Sequence, residues 1–493
     1  MVPLPTGCDP RAMPNERSPQ TTLDLVDEEL EALLAGASAI AAREVRATRT
    51  GPIYAEPPSA ERLEALLGSD AALPLDGEPL DDLLESCGAV LAAGRRTTPA
   101  FFGYVFSPPS PIGVAADLLA SAADQNVTSW RSAPAGTHVE RITLRWLGEL
   151  VGFAPDAAGV LVSGGSMANL TALLVALRAR SQPDADRRLL TVYVSEDTHF
   201  SVAKAAAAIG VEPRTVAVDT DRRLSVDTLR EAIDADRRAG RRPFCVVGSA
   251  GTTATGAVDR LDELATVAEE EGLWLHVDGA YGALAAADPA HRHLFSGIDR
   301  ADSLSIDAHK WLYVPVDCGA LLLRAADAGR NAFGSQDAAY VRALADEDVE
   351  SYAFWDHGLE LSRRFRALKL WMTLRYYGAR RVAAAIAEDI AMASYMADRV
   401  READDLELLT QPSLSICCFR HAPPDVVPAA LNEHNEHLLK ALQRDGRVYL
   451  SNATLGGRFA LRACITNFRT TRADIDRTLS LVRELGSDKT DTA

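Results

Sequence analysis

Three features are scarce or missing in this 493-residue sequence. No stretch approaches the roughly 20 consecutive apolar residues that a membrane-spanning helix needs. The opening, MVPLPTGCDPRAMPNERSPQTT, also lacks the apolar core of a signal peptide. It is Pro-rich and polar, so the expectation is a segment that is disordered or wraps a neighbour. Cysteine is sparse: there are seven, an odd number, and none has C-x-x-C spacing. That removes the signature of a zinc or redox site and implies a reduced, cytoplasmic setting. Positive charge is the third shortage, with 51 Lys and Arg against 69 Asp and Glu and a formal net charge of -18. Paired arginines such as 95-96, 222-223 and 363-364 are scattered among acids, which argues against a nucleic-acid surface. His291 and His293 stand in a polar segment without nearby partners, so no metal is expected.

What is present fits a globular enzyme of two or three packed units, 47% apolar and 24% charged. Residues 23 to 47 and 59 to 93 are rich in Ala, Leu and Glu and read as helices. From about 139 the pattern changes. Val139, Ile142, Trp146, Leu147, Leu150 and Val151 fall at helical spacing, and short β-branched runs then alternate with helical segments. The runs are VLVS (160-163), LLTVYVS (189-195), FCVVG (244-248), WLHVD (274-278), SLSID (303-307) and CGALLL (318-323). This rhythm predicts an α/β fold, a mostly parallel central sheet with helices on both faces. The predicted organisation is an N-terminal segment over 1-104, a large domain over 105-375 and a smaller α+β domain over 376-493. Helices around 363-377 and 379-400 and strands LSICCF (414-419) and FALRACI (459-465) would belong to the junction and the last unit.

In an open parallel sheet, ligands bind beyond the carboxyl ends of the strands. The groups just past those ends are Gly164-Gly165-Ser166, Asp197-Thr198-His199, Gly251-Thr252-Thr253, Asp278-Gly279-Ala280 and His309-Lys310. Together they suit pyridoxal 5'-phosphate. SGGSMANL is a small-residue turn opening a helix, whose free N–H groups favour a phosphate. Asp278 ends an apolar strand, where a carboxylate is costly unless it meets a cation such as a protonated pyridine nitrogen; it equally suits a cap or turn. His199 suits stacking on the ring or a structural role, and Thr253 and Ala280 are small enough to flank the ring. Lys310 between two apolar strands invites a Schiff base to the cofactor, with burial expected to lower its pKa.

The ordered motifs GGSMANL, EDTHFSVAK, GTTATGAVD, LHVDGAYG and DAHKWLYVP, with FFGYVFSP, WRSAPAGTHVE and SRRFRALKLWMTLRYYG, resemble the group II pyridoxal-phosphate-dependent decarboxylases. The similarity spans roughly residues 60 to 480 and is nearer the aromatic-L-amino-acid branch than the glutamate branch. It implies the fold of the aspartate aminotransferase type (fold type I). It also implies Lys310 as the Schiff-base lysine, Asp278 as partner of the pyridine nitrogen and His199 as the stacking residue. Gly165, Ser166, Asp307 and His309 would lie near the phosphate, with Thr253 and Ala280 beside the ring. Many aromatic-branch members carry asparagine at the position of Asp307. A carboxylate beside a phosphate is electrostatically awkward, so Asp307 is expected to orient backbone groups instead.

The resemblance further implies decarboxylation of an L-amino acid, with Tyr340 in the polar segment 331-354 assisting protonation at Cα. Family members that make aldehydes typically have phenylalanine at that tyrosine or asparagine at the stacking histidine. Tyr340 and His199 therefore imply an amine product. Phe101, Tyr104 and Phe106 are candidates for an aromatic substrate pocket, although such runs also form cores; Asn126 and Thr128 would make the pocket more polar. An aromatic substrate is expected. A 2,4-diaminobutyrate-like or aliphatic amino acid, an oxidative aldehyde-forming reaction, an aminotransferase and a catalytically silent cofactor binder are the alternatives. The family implies a homodimer with active sites at the interface.

Overall fold

The computed structural model describes residues 23–54, 59–67, 73–182, 184–334 and 352–487. They fall into two compact units. The smaller is drawn from Met1–Arg46 and Pro58–Gly94 and the larger from Ala47–Pro57 and Arg95–Ala493.

The smaller unit contains α1 (Asp27–Thr50), most of which it includes, α2 (Ala60–Leu67) and α3 (Leu80–Ala92). Two glycines let α1 and α3 meet closely. A methyl group at Gly36 would come within 2.6 Å of Leu84, and one at Gly88 within 2.7 Å of the Arg43 guanidinium.

The larger unit is built on a seven-stranded sheet: β1 (Ala158–Val162), β2 (Leu190–Ser195), β3 (Glu212–Val216), β4 (Arg242–Ser249), β5 (Trp274–Asp278), β6 (Ser303–Asp307) and β7 (Gly319–Leu323). Their order is β1-β7-β6-β5-β4-β2-β3. All neighbours from β6 to β3 run parallel, and β7 is antiparallel to both β6 and β1. The predicted mostly parallel sheet is thus the one observed. Every residue of β5, β6 and β7 is buried, which explains why these strands read as continuous apolar runs. Strand β3 escaped the sequence reading because EPRTV is polar and largely exposed at the sheet edge.

Helices α4 (Pro111–Ala123), α5 (Pro134–Val151), α6 (Gly165–Arg180), α7 (Phe200–Ala208), α8 (Val226–Arg238) and α9 (Leu261–Glu271) supply the cover and the crossovers. Their ends follow capping chemistry. Ser110 and Ser225 accept from the backbone N–H groups of Gly113 and Thr228, and α5 and α9 stop at the left-handed Gly152 and Gly272. Two short helices, α10 (Ala308–Trp311) and α11 (Ala328–Phe333), flank β7.

The chain then enters the 35-residue α12 (Ala367–Arg401), interrupted at Gly378 with φ 75°. That break matches the two helical segments predicted on either side of residue 378. A four-stranded antiparallel sheet follows, made of β8 (Leu406–Thr410), β9 (Ile416–His421), β10 (Ser451–Leu455) and β11 (Arg458–Cys464) in the order β10-β11-β9-β8. It is covered by α13 (Leu431–Asp445) and α14 (Arg472–Ser487), around a core that includes Met396, Phe419, Leu442, Leu461 and Val482. Among the described residues no helix is long and apolar enough to cross a membrane.

Candidate active site

The parallel strands end on a cavity of about 410 Å³. Gly165, Ser166, His199, Thr253, Asp278, Ala280, Asp307, His309 and Lys310 all line it. The structure therefore brings together every cofactor-site residue singled out from the sequence, although they span nearly 150 positions of chain.

Asp278 is the last residue of β5 and only 8% exposed. Asn169 Nδ2 donates to its Oδ2 at 2.9 Å, while Ser305 Oγ and the Ala280 N–H donate to Oδ1 at 3.1 and 3.2 Å. Burial alone would raise its pKa. His276, which is protonated only at the low pH where this carboxyl titrates, the charge of Lys310 and the hydrogen bond from Asn169 together outweigh that, so the carboxyl lies below its ordinary value and stays ionised.

Lys310 sits in α10, directly after β6, and its Nζ lies 2.9 Å from Asp307 Oδ2. The expected fall in its pKa is not what the structure gives. Burial, the largest single influence, does push it down, but the charge and hydrogen bond of Asp307 together with the charge of Asp278 outweigh it, and the ammonium is favoured. Asp307 also departs from expectation: its side chain pairs with Lys310, and lies 3.8 Å from His309 Nε2, instead of orienting backbone groups. The carboxylate nestles against glycines. A Cβ at Gly165 would come within 3.0 Å of Oδ2, and one at Gly319 within 2.7 Å of Oδ1. Asp307 Oδ1 is buried without a hydrogen-bond partner.

His199 is the N-cap of α7, and its Nδ1 accepts from the Ser201 N–H at 3.3 Å. Burial lowers its pKa more than Asp278 raises it, so the ring is held neutral. His309 is likewise shifted down by burial, and its Nδ1 accepts from the Cys318 N–H at 3.2 Å.

The donor set fits pyridoxal phosphate. An amine, a buried ionised carboxylate that needs a cation, and a neutral imidazole share one cavity. The first turn of α6 is capped by Gly164 with no side-chain hydrogen bond; the Met167 and Ala168 N–H groups donate to the Gly164 carbonyl, which leaves those of Gly165 and Ser166 for an anion. Among the described residues no group of three or more His, Cys, Asp or Glu is placed to hold a metal ion.

The substrate candidates are placed elsewhere. Phe101 is 2% exposed and packs with Ile53 and Tyr449, its ring stacked on Tyr449 at 5.2 Å, so it is core. Tyr104 is half exposed and lies against Tyr449 and the Arg95 guanidinium. Phe106 is also exposed, and Thr128 is buried where its carbonyl accepts from the Phe354 N–H. None of the four lines the Lys310 cavity. The segment still braces the site, because Ser107 Oγ donates to the Lys310 carbonyl. Tyr340 lies outside the described residues.

Several residues of the site were missed in the sequence. Arg462, 2% exposed in β11, donates from Nε to the Thr253 carbonyl at 2.7 Å and from Nη1 to the Tyr104 carbonyl at 2.9 Å, tying the loop after β4 to FFGYVF. Asn169, Ser201, His276 and Ser303 form a polar layer under the cavity. The signal for His276, Ser303 and Arg462 was a polar side chain in an otherwise apolar run, as in WLHVD, SLSID and FALRACI; Asn169 and Ser201 carried no such signal.

Comparison with known proteins agrees with this chemistry. Residues 62–422 match the model of the pyridoxal-dependent decarboxylase conserved domain. An aromatic-L-amino-acid decarboxylase of Bacillus atrophaeus is 37% identical over 394 residues, 79% of this chain and 82% of that protein. A 4-hydroxyphenylacetaldehyde synthase of Rhodiola rosea is 31% identical over 426 residues, covering 83% and 86%. The crystal structure of Oryza sativa TDC with PLP and tryptamine superposes with a TM-score of 0.88 at 28% identity, over 94% of this chain and 99% of that one. With residues 62–422, most of the chain, matching the family model, this chain belongs to the pyridoxal-dependent decarboxylases, enzymes that use pyridoxal phosphate to remove a carboxyl group.

Proposed function

We propose that the chain decarboxylates an aromatic L-amino acid and releases the amine with carbon dioxide. The observation that carries this reading is the convergence of Lys310, Asp278 and His199 on one cavity, and the names of its relatives support an aromatic substrate.

Pyridoxal phosphate, when bound, supplies an electron sink for the electron pair left on Cα as the carboxylate departs. The residues of the chain create the conditions. Lys310 Nζ is the amine placed to hold the cofactor's aldehyde carbon. Because Asp307 favours its ammonium form, it must first lose a proton, and Asp307 Oδ2 at 2.9 Å is an acceptor within reach. Asp278, ionised in spite of burial, supports a positive charge at the ring nitrogen. The N–H groups of Gly165 and Ser166 and the Ser166 hydroxyl suit the phosphate, and Thr253, Ala280 and His199, which line the same cavity, would lie against the ring.

An aldehyde product is the second reading, favoured by similarity to a 4-hydroxyphenylacetaldehyde synthase. The presence of His199 and Tyr340 supports the amine. In this scheme Tyr340 gives the proton to Cα, and Tyr340→Phe diverts product toward aldehyde and ammonia.

The partner is a second copy. Helix α1 has no buried residue, yet Leu30 and Leu34 recur on it at helical spacing and are exposed, as a face made for a twofold contact would be. A cytoplasmic location is supported by Cys245, Cys318, Cys417, Cys418 and Cys464, all buried free thiols.

The test is a panel of L-amino acids with purified protein and added pyridoxal phosphate, following carbon dioxide and amine together. Equal amounts of both from Tyr, Phe, Trp or dihydroxyphenylalanine are expected. Carbon dioxide with aldehyde would move the enzyme to the oxidative branch, and release only from a basic or aliphatic substrate would replace the side chain proposed.

A further inference from the structure

A continuous line of hydrogen bonds runs under the cavity from Trp274 to His199, and elementary donor rules assign its direction from both ends. Indole N–H can only donate. Trp274 Nε1 therefore donates to Ser303 Oγ, at 2.8 Å. The ionised Asp278 can only accept, so the Asn169 atom 2.9 Å from Oδ2 is its amide nitrogen. Asn169 Oδ1 then faces His276 Nε2 at 3.0 Å, and His276 must carry its proton on Nε2. Burial pushes the His276 pKa down to about 4, which keeps the ring neutral and its Nδ1 bare. Ser303 fills that acceptor with its hydroxyl proton, at 2.9 Å.

The second N–H of the Asn169 amide reaches Ser201 Oγ at 3.0 Å. Ser201 Oγ keeps a second lone pair, but its backbone N–H points at His199 Nδ1 at 3.3 Å and makes that nitrogen an acceptor, so the Ser201 hydroxyl proton turns to Nδ1 at 2.7 Å. With Nδ1 accepting twice, the proton of neutral His199 belongs on Nε2. Asn169 is 1% exposed in the interior of α6, a helix position that asparagine does not favour, and it spends both hydrogens and its oxygen on three separate residues.

We propose that Asn169 is the positioning residue of this site: its one amide orients the Asp278 carboxylate and, by holding the Ser201 hydroxyl in line with His199 Nδ1, reinforces the Nε2–H tautomer of His199. A single side chain thereby ties the residue that would pair with the cofactor's ring nitrogen to the residue that would stack on the ring. This rests on the reading of Asp278 and His199 as cofactor-facing groups.

The test is long-range 15N–1H correlation on the full chain labelled at histidine, with and without pyridoxal phosphate, assigning the two signals with His199→Gln and His276→Gln. Both histidines are expected in the Nε2–H form. A His199 signal protonated at Nδ1 would overturn the proposal. In Asn169→Leu the Nδ1–H form of His199 should appear, the Kd for cofactor should rise about tenfold, the scale on which outer-layer partners act, and kcat should fall more than KM rises. Unchanged tautomer and cofactor affinity in that variant would also sink it.

Should Asn169→Leu fail to fold, Ser201→Ala cuts only the His199 arm. It should admit the Nδ1–H form while cofactor affinity stays within about twofold, and an unaltered tautomer there counts against the proposal. The two readings fail separately. Active enzyme with the wrong tautomer removes this inference alone, whereas the expected tautomers without carbon dioxide from any L-amino acid remove the decarboxylation reading alone.

Discussion

Arg363 and Glu140 have side chains 1% and 0% exposed, whereas Lys310 keeps 23% of its surface beside Asp307 at 3%. Both are buried ion pairs, yet their surroundings differ. Arg363 spreads its donors over the carbonyls of Val127 and Leu161 as well as Glu140, and Glu140 Oε1 also accepts from the Leu161 N–H at 2.9 Å. Four segments of chain are thus tied at one point. Lys310 has a single carboxylate partner and a cavity in front of it; each pair keeps unpartnered atoms, Asp307 Oδ1 in this one and Glu140 Oε2 and Arg363 Nε in the other, so it is the cavity that separates them. A pair anchored on backbone and sealed from solvent serves architecture, while a pair that faces a cavity is available to chemistry.

The contrast predicts opposite phenotypes. The largest effect is expected from Lys310→Ala, which should lower turnover by at least about a thousandfold while the urea midpoint falls less than in Arg363→Met, because the vacated Asp307 carboxylate faces a cavity that water can enter. Borohydride should also fail to attach cofactor to the variant. Ordinary turnover with tightly held cofactor would remove Lys310 from its role.

Arg363→Met should do the reverse, because it strands a buried carboxylate; the expected loss of stability is about 3–5 kcal/mol. Urea denaturation of this variant beside Arg363→Met/Glu140→Leu checks the cause. If the double variant is no more stable than the single one, the cost lies in lost packing and not in the stranded charge.

The smallest effect is expected from Asp307→Asn. Asp307 holds the Lys310 pKa above its ordinary value, so removing the negative charge lets burial pull that pKa down. More neutral amine is then present near pH 7, and covalent capture of pyridoxal phosphate should speed up by about tenfold for each unit of the fall. The limb of the rate profile assigned to Lys310 should move to lower pH. A limb that stays in place would show that Asp307 does not control the amine.

The same contrast bears on what could be read in advance. Lys310, Asp278 and His199 were legible because each closes or follows a buried strand, and a charged or polar residue there has few uses besides chemistry. The Arg363–Glu140 pair was not, since SRRFRALKLW and HVERITLRW are each ordinary amphipathic text, and nothing local joins positions 223 residues apart. Phe101 shows the limit from another side. Its aromatic run suited a pocket, but the ring stacks on Tyr449 from the far end of the chain.

By itself, then, the sequence determined the βαβ alternation, the strand ends and the chemistry placed on them, because apolar periodicity and residue type are local properties. Tertiary structure alone decided the rest. It placed Asp307 against Lys310 and so reversed the sign of the lysine's pKa shift, and it joined Asn169 of α6 to Asp278 of β5 and His276 two residues before it. Electrostatic shifts and hydrogen-bond direction depend on distances of a few ångströms between residues remote in sequence, and only the folded chain sets those distances.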